Sequence, residues 1–179
     1  EQRVNERTQE LNLATATTSR RAAQLETIAE LSQAISQVQD PNKIFTAAAQ
    51  LISERFGFYH VGIFLVDRDR EYAILQAANS AGGQKMLARR HRLMLGTGVV
   101  GFAGQTGKPR IALDVGADAV FFNNPDLPDT RSEIALPMIA GDQTIGVLDV
   151  QSTIAGAFTE EDYRALGTLA NQLAIAIDN

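Results

Sequence analysis

The chain has 179 residues, of which 45% are hydrophobic, with a net charge of −5 and no cysteine. Its length and composition predict one domain with a hydrophobic core plus an extension, and its acidic balance argues against a nucleic-acid partner, which would favour a basic face. The lack of cysteine excludes disulfides, thiolate metal sites and cysteine nucleophiles within the chain. The sequence contains no run of about 18 apolar residues, so it predicts no direct membrane insertion of these residues.

Residues 1–39 contain neither proline nor glycine and predict one long N-terminal signalling or coiled-coil helix. Its apolar and small residues follow alternating steps of four and three, with one change of phase. The first set is Val4, Thr8, Leu11, Thr15, Thr18, Ala22 and Leu25, and the second is Ile28, Leu31, Ile35 and Val38. So narrow a stripe predicts pairing with a second helix in a parallel homodimer. Because the first set is rich in threonine and alanine, a linker helix that pairs only when tethered is an open alternative.

The globular part, residues 40–179, begins with a second helix. Asp40 is its predicted N-cap, Pro41 its first residue and Gly57 its end. Two predicted strands follow at residues 59–66 and 72–78, joined by a polar turn, and a third lies at residues 91–95.

Residues 96–115 predict a loop, a short helix that ends at Gly107, and a strand at residues 111–113. A hairpin then alternates Ile134, Leu136 and Met138 with their neighbours, turns at residues 141–142, and returns through residues 145–150. Thr159 and Asp162 form the capping box of a final amphipathic helix. The whole pattern predicts an α+β fold, with a six-stranded antiparallel sheet flanked by helices.

Three segments carry a family resemblance: GTGVVGFAGQTGKPRIALDV, EIALPMIAGDQTIGVLDVQS and AFTEEDYRALGTLANQLAIAIDN. Together they resemble a GAF domain, a small-molecule-sensing module of signalling proteins that is related to PAS domains, and the resemblance covers residues 40–178. The hexapeptide ERTQEL at residues 6–11 is similar to the linkers of sensor kinases. The resemblance implies a ligand site between the sheet and the irregular segment after the third strand.

Seven residues of that region are candidate ligand-binding residues: His91, Asp114, Phe121, Phe122, Asn123, Asn124 and Arg131. The phenylalanines could stack on a planar ligand, the asparagines could read its polar edges, and the arginine could pair with an anion. Each has a structural alternative. The phenylalanines could anchor their loop, Asn-Asn-Pro is an ordinary turn signal, the basic residues 89–92 are typical of a solvated strand edge, and Arg131 could pair at the surface with Asp126, Asp129 or Glu133.

The chemistries known for GAF-like domains limit which ligands, cofactors and activities this sequence favours. The cyclic-nucleotide motif of Asn-Lys, Phe and adjacent Asp-Glu is not present in order. Bilin-binding members and free-methionine-sulfoxide reductases use cysteine, which this chain lacks. Haem ligation would have to use His60 or His91, although structural or surface roles fit both better. No nucleophile and base come together, so the sequence predicts no enzymatic activity, no catalytic residue and no metal site, and it names no cofactor.

The resulting prediction is a regulatory sensory or relay domain of a signalling protein, such as a cytoplasmic or membrane-anchored sensor histidine kinase. It would form a homodimer through its terminal helices, bind a small molecule, and act on an output domain in cis beyond residue 179. The alternatives are a dimerisation scaffold without ligand, and a small-molecule-binding domain of a transcription regulator or cyclase.

Overall fold

A computed structural model describes residues 1–37, 39–116 and 124–178. Within these residues the elements follow in chain order: α1 (Gln2–Gln37), α2 (Pro41–Phe56), β1 (His60–Val66), β2 (Tyr72–Ala78), α3 (Ala81–Ala88), β3 (Arg92–Met94), α4 (Gly98–Thr106), β4 (Arg110–Ala112), β5 (Ser132–Ala140), β6 (Gln143–Ser152) and α5 (Glu160–Asp178). The strands form one antiparallel sheet in the order β3-β2-β1-β6-β5-β4. The predicted α+β fold is confirmed.

Alternating residues of the central strands face two separate cores. The larger core lies between the sheet and helices α1, α2 and α5, and it contains Ile134, Leu148 and Leu169. The smaller core lies under α3 and α4 and contains Phe64 and Val147. Leu148 and Val147 are neighbours in β6, so successive residues of this strand face opposite cores, as the period of two requires.

Local signals set most helix ends. Asp40 accepts a hydrogen bond from the backbone N–H of Asn42 at 3.0 Å, and Gly57 ends α2 with φ of 73°. Thr159 and Asp162 exchange two hydrogen bonds of 3.1 Å at the start of α5, which confirms the predicted capping box.

One helix was not predicted from the sequence, and the bounds of four strands differ from the predicted ones by one or two residues. Helix α3 begins Ala-Gly-Gly, a composition with poor helix propensity, and its start is held by Ser80, whose hydroxyl accepts from the backbone N–H of Gly83 at 2.8 Å. Strand β3 is shorter than the predicted 91–95, and β4 spans residues 110–112 instead of 111–113.

Helix α1 has an exposed half and a docked half. All seven residues of the first predicted set are exposed, including Leu11 and Leu25 at 67% and 66%, whereas Leu31 of the second set is buried. Val38 lies outside the described residues. Docking begins near Gln24, whose side-chain amide donates to Asp162 Oδ1 at 3.0 Å. The change of phase in the sequence therefore marks the point where α1 meets the domain. Among the helices of the described residues, none is both long and apolar enough to cross a membrane.

Candidate functional site

A small cavity lies on the sheet face that is covered by α3 and α4. Its volume is about 20 Å³, close to the space that one water molecule occupies. The residues that line it, together called the sheet cavity here, are Phe64, Met86, His91, Leu93, Val99, Val100, Asn124, Glu133, Asp149 and Gln151. Apolar side chains make up the wall under the two helices, and the polar ones come mainly from β5 and β6.

Two carboxyl groups meet in this cavity. Glu133 of β5 is 5% exposed and Asp149 of β6 is 1% exposed. The side-chain amide of Gln151 donates to Asp149 Oδ2 at 2.8 Å and to Glu133 Oε1 at 3.3 Å, while its oxygen accepts from the hydroxyl of Thr130 at 2.6 Å. The other oxygen of Asp149, Oδ1, is buried and has no hydrogen-bond partner among the described residues.

Burial makes the charged form of Asp149 costly. Burial raises the pKa of Asp149 above its ordinary value, and hydrogen bonds with Glu133 and Gln151 offset only part of that rise. Two adjacent buried carboxylates are costly to charge together, which favours the protonated form of Asp149 in the same direction.

Another part of the cavity wall contains His91. Its Nδ1 lies 2.9 Å from Nη1 of Arg89, and Arg89 also donates through Nε to Oδ2 of Asp126 at 2.9 Å. Asn124 Oδ1 accepts from the backbone N–H of Asp126 at 2.9 Å, which fixes the amide beside the cavity. Burial, and then the charge of Arg89, lower the pKa of His91 to about 4, so its ring is neutral at pH 7.

A second histidine lies on the same face of the sheet. His60 begins β1 and is completely buried, with Nδ1 2.7 Å from the hydroxyl of Ser80. Its Nε2 has no hydrogen-bond partner among the described residues, and it lies 3.1 Å from the point where a Cβ on Gly62 would stand. Burial, and to a lesser degree His91, lower the pKa of His60 to about 4.

The structure separates the residues that the sequence analysis brought together. His91 and Asn124 line the sheet cavity. Asp114 and Arg131 have half-exposed side chains and form a 3.9 Å ion pair at the surface, so the partner of Arg131 is Asp114 rather than the three acids expected. Phe121, Phe122 and Asn123 lie outside the described residues.

The polar centre of the site was not predicted from the sequence. Glu133 was considered only as a surface partner, and Asp149 only as a member of a strand pattern, yet both line the cavity together with Gln151. The available signal was an acidic residue inside each of two otherwise apolar strands, because carboxylates are rarely buried unless something pairs with them.

The close contact between α3 and residues 124–127 provides a test of how the cavity wall is held. A Cβ on Gly82 would overlap the carbonyl oxygen of Asp126 and approach Leu127 Cδ2 to 2.9 Å. Gly82→Ala is therefore expected to destabilise the protein by about 1–3 kcal/mol in urea unfolding. Gly167→Ala is the matched control: nothing lies within 4 Å of its Cβ position, so helix α5 should gain about 0.5–1 kcal/mol. Equal effects of the two changes would contradict this packing.

Comparison with known proteins identifies related sequences and structures. A family model described as GAF domain matches residues 38–178. GAF domain-containing protein A of Dictyostelium discoideum is 34% identical over 128 residues, which are 72% of this chain and 73% of that protein. Free methionine-R-sulfoxide reductase of Escherichia coli K12 is 50% identical over 44 residues, 25% of this chain and only 27% of the reductase.

A solved structure extends the likeness to the reductases. The free methionine-R-sulfoxide reductase of Neisseria meningitidis, in complex with its substrate, superposes with a TM-score of 0.78 at 27% identity and covers 88% of this chain and 90% of that one. The prediction that the chain is not an enzyme is contradicted by these relatives. That prediction relied on the missing cysteine and on the failure to pair a nucleophile with a base, and it left the buried carboxyl pair out of account.

Proposed function

The chain belongs to the GAF domain family, whose members generally regulate or bind small molecules, and from this premise we propose that the sheet cavity binds the ammonium group of a small molecule. A free amino acid of the methionine-R-sulfoxide type is the first candidate, because reductases of that compound are among the relatives in sequence and structure. The observation that carries the proposal is the buried pair of Glu133 and Asp149, with Asp149 Oδ1 still without a partner among the described residues.

The chemistry of the pair selects a cation. An ammonium group presents three N–H donors in about the volume of a water molecule, and the cavity of about 20 Å³ accepts a group of that size. Its charge would compensate the cost of burying the carboxylates and would allow Asp149 to lose its proton. A neutral or anionic group in the same place would leave that cost uncompensated.

Isothermal titration calorimetry with three compounds tests this proposal. We expect L-methionine-R-sulfoxide and L-methionine to bind and the N-acetylated sulfoxide, which lacks the ammonium group, not to bind. Binding in buffers of different ionisation enthalpy should also reveal the release of a proton as the ammonium group replaces it on the carboxyl pair. Equal affinity for the N-acetylated compound, or no binding of either amino acid, would refute the ammonium site.

Reduction of the bound sulfoxide is a second candidate function, supported by the reductases among the relatives. Since the sequence has no cysteine, an external dithiol has to supply the two electrons. The sulfoxide oxygen leaves as water, two thiols become one disulfide, and the product is the thioether. Incubation with dithiothreitol and chromatographic measurement of methionine, compared with a protein-free control, tests this candidate directly.

The terminal helices support a further part of the proposal, namely that ligand binding is relayed within a signalling protein such as a sensor histidine kinase. Gln24 of α1 shares the carboxyl of Asp162 with the cap of α5, and Arg21 pairs with Glu161 at 2.8 Å. Helix α1 therefore follows any movement of the start of α5. A dimer that binds no ligand would favour the dimerisation scaffold over the sensor. The type of output domain would distinguish a kinase from a transcription regulator or cyclase.

The relay requires a dimer through α1, and Leu11→Asp tests it. Leu11 is exposed and belongs to the stripe formed by the first set of residues, so its replacement should leave the fold intact and weaken the dimer by about a hundredfold, because one leucine is lost from each copy. Leu25→Asp should act in the same direction. Gln9→Asp, outside that stripe, is the control for charge. Sedimentation equilibrium measures the outcome, and a wild-type monomer at high micromolar concentration would reject the dimer.

A further inference from the structure

Two buried polar atoms on neighbouring strands have no hydrogen-bond partner among the described residues. They are Nε2 of His60 in β1 and Oδ1 of Asp149 in β6, whose residues are 0% and 1% exposed. Buried polar atoms are nearly always hydrogen-bonded, so two such atoms in one core require an explanation. Both lie on the same face of the sheet, because Gly62 pairs with Asp149 and His60 is two residues before Gly62.

The ring of His60 extends over Gly62. Its Nε2 is 3.1 Å from the point where a Cβ on Gly62 would stand, and its Cε1 is 3.1 Å from the same point on Gly83. The side chains of directly paired strand residues begin about 4.5–5.5 Å apart. Because Asp149 is the residue paired with Gly62, the Nε2 edge of the imidazole lies next to the Asp149 side chain.

The hydrogen bonds that these two residues already make leave Nε2 and Oδ1 for each other. Nδ1 of His60 is 2.7 Å from the hydroxyl of Ser80, two residues after β2, and β2 and β6 flank β1 on opposite sides. The two nitrogens face nearly opposite sides of an imidazole ring, so Nε2 is directed towards β6. In Asp149, Oδ2 accepts from the Gln151 amide at 2.8 Å, which leaves Oδ1.

We propose that Nε2 of His60 and Oδ1 of Asp149 are hydrogen-bond partners, brought together by a small rotation of the two side chains, and that they link the sheet cavity to the start of α3. Ser80 completes the link, because its hydroxyl contacts Nδ1 of His60 and also accepts from the backbone N–H of Gly83 in the first turn of α3. The inference concerns the protein without ligand and does not depend on the ammonium site.

The direction of these hydrogen bonds depends on the charge of Asp149. A protonated carboxyl donates its O–H to Nε2, so the ring hydrogen is on Nδ1 and is donated to Ser80. An ionised carboxyl accepts from Nε2–H, and the hydroxyl of Ser80 then donates to Nδ1. The two forms differ by one proton, which passes to the solvent, while the ring is neutral in both. The tautomer of His60 therefore reports the charge of Asp149.

Ionisable residues reach Asp149 from the strands beside it and from the segments around α3, whereas helix α4 has none. They are His60 of β1, Glu133 of β5, and His91 with the ion pair of Arg89 and Asp126 behind it. Burial raises the pKa of Asp149 and lowers that of His60 to about 4. At neutral pH the histidine is therefore uncharged, and a change of charge within this pair takes place on the carboxyl.

Nuclear magnetic resonance of the chain without ligand tests this link and requires no variant. Long-range ¹H–¹⁵N spectra identify the tautomer of His60, and the ¹³C shift of the Asp149 carboxyl follows its charge over about pH 5 to pH 9, where the ring is neutral. We expect Nδ1–H while the carboxyl is protonated and Nε2–H once it is ionised, with one common midpoint. His91 is the internal reference: Arg89 has only donors and lies 2.9 Å from its Nδ1, so its hydrogen should stay on Nε2.

Asp149→Asn should fix one of the two forms. The amide oxygen of asparagine can accept from Gln151, which turns its NH₂ group towards His60 as a permanent donor, so the ring should remain Nδ1–H at every pH. Asp142→Asn, in the exposed turn between β5 and β6, removes the same charge and should titrate as the wild type does. A high-resolution crystal structure of the wild type should place Nε2 and Oδ1 within about 3.2 Å of each other.

Three results would refute the link. They are a carboxyl that ionises while His60 keeps its tautomer, a protonated carboxyl beside an Nε2–H ring, and a crystal structure in which Nε2 or Oδ1 bonds to another group. If Asp149→Asn does not fold, the wild-type titration and the crystal structure still decide. Ligand binding does not enter these measurements, so a failure of the ammonium site would leave their outcome unchanged.

Discussion

Asp149→Asn is expected to weaken binding of L-methionine-R-sulfoxide by about a hundredfold or more and, at the same time, to make the empty protein more stable. Removing one member of a buried charge pair with a ligand costs about 2–5 kcal/mol of binding free energy. In the empty protein the same carboxyl is a liability, because burial raises its pKa and Oδ1 has no partner among the described residues. Asparagine keeps the shape and can still accept from the Gln151 amide.

Misfolding would weaken binding and lower stability together, whereas this prediction combines weaker binding with higher stability. Calorimetry measures the affinity and urea unfolding the stability, for which we expect a gain of about 1 kcal/mol. Asp142→Asn, in the exposed turn between β5 and β6, makes the same change of charge and should affect neither quantity. A variant that binds the sulfoxide as tightly as the wild type would remove Asp149 from the site. Glu133→Gln should also weaken binding.

Acid is expected to destabilise the protein between pH 6.5 and pH 4 because of its buried histidines. An unfolded histidine titrates near pH 6.5, whereas His60 in the folded state titrates at about 4, so the unfolded state binds more protons within this window. Stability is therefore full above pH 6.5 and is lost as the pH falls through the folded pKa. The shift at His60 corresponds to about 3 kcal/mol, and His91 acts in the same direction.

Urea unfolding from pH 7 to pH 4.5 measures this loss. His60→Asn can keep the bond to Ser80 but does not titrate, so its stability should depend less on pH than that of the wild type. Asp149 has the opposite sign: its raised pKa means that the folded state gains protons first, which offsets part of the loss in acid. Asp149→Asn should therefore steepen the loss. If His60→Asn and the wild type have parallel profiles, the buried histidine does not govern acid stability.

Helix caps and helix ends that depend on neighbouring residues were predicted correctly from the sequence. The caps at Asp40 and Thr159, and the end of α2 at Gly57, depend on neighbouring residues alone, and the structure confirms them. The predicted alternation in β5 is confirmed as well, because Ile134, Leu136 and Met138 pack in the larger core and Ala135 in the smaller one. Even the change of phase in α1, noted as an irregularity of a coiled coil, has a structural meaning as the start of docking.

The site required information that lies between distant segments. Ala135 pairs with Asp149, and Glu133 with Gln151, so the carboxyl pair exists only once β5 and β6 are in register. The contact of Arg89 with His91 depends on a tight turn, in which Arg90 has φ of 56°, at a point where the sequence analysis expected a strand edge. Spacing along the chain records neither feature, so the candidate residues were drawn instead from an unusual loop composition.

Strand β6 lies near the middle of the sheet and takes part in both cores, with Asp149 in the cavity while Leu148 and Val150 pack towards the helices. This has a consequence for how such a domain can evolve. Replacements that shift the backbone of β6 would alter the packing of α5 as well, so under the proposed relay the ligand site and the helices cannot change independently. A new ligand preference should therefore arise mainly through replacements in α3, α4 and residues 124–127, which leave the larger core and helix α5 undisturbed.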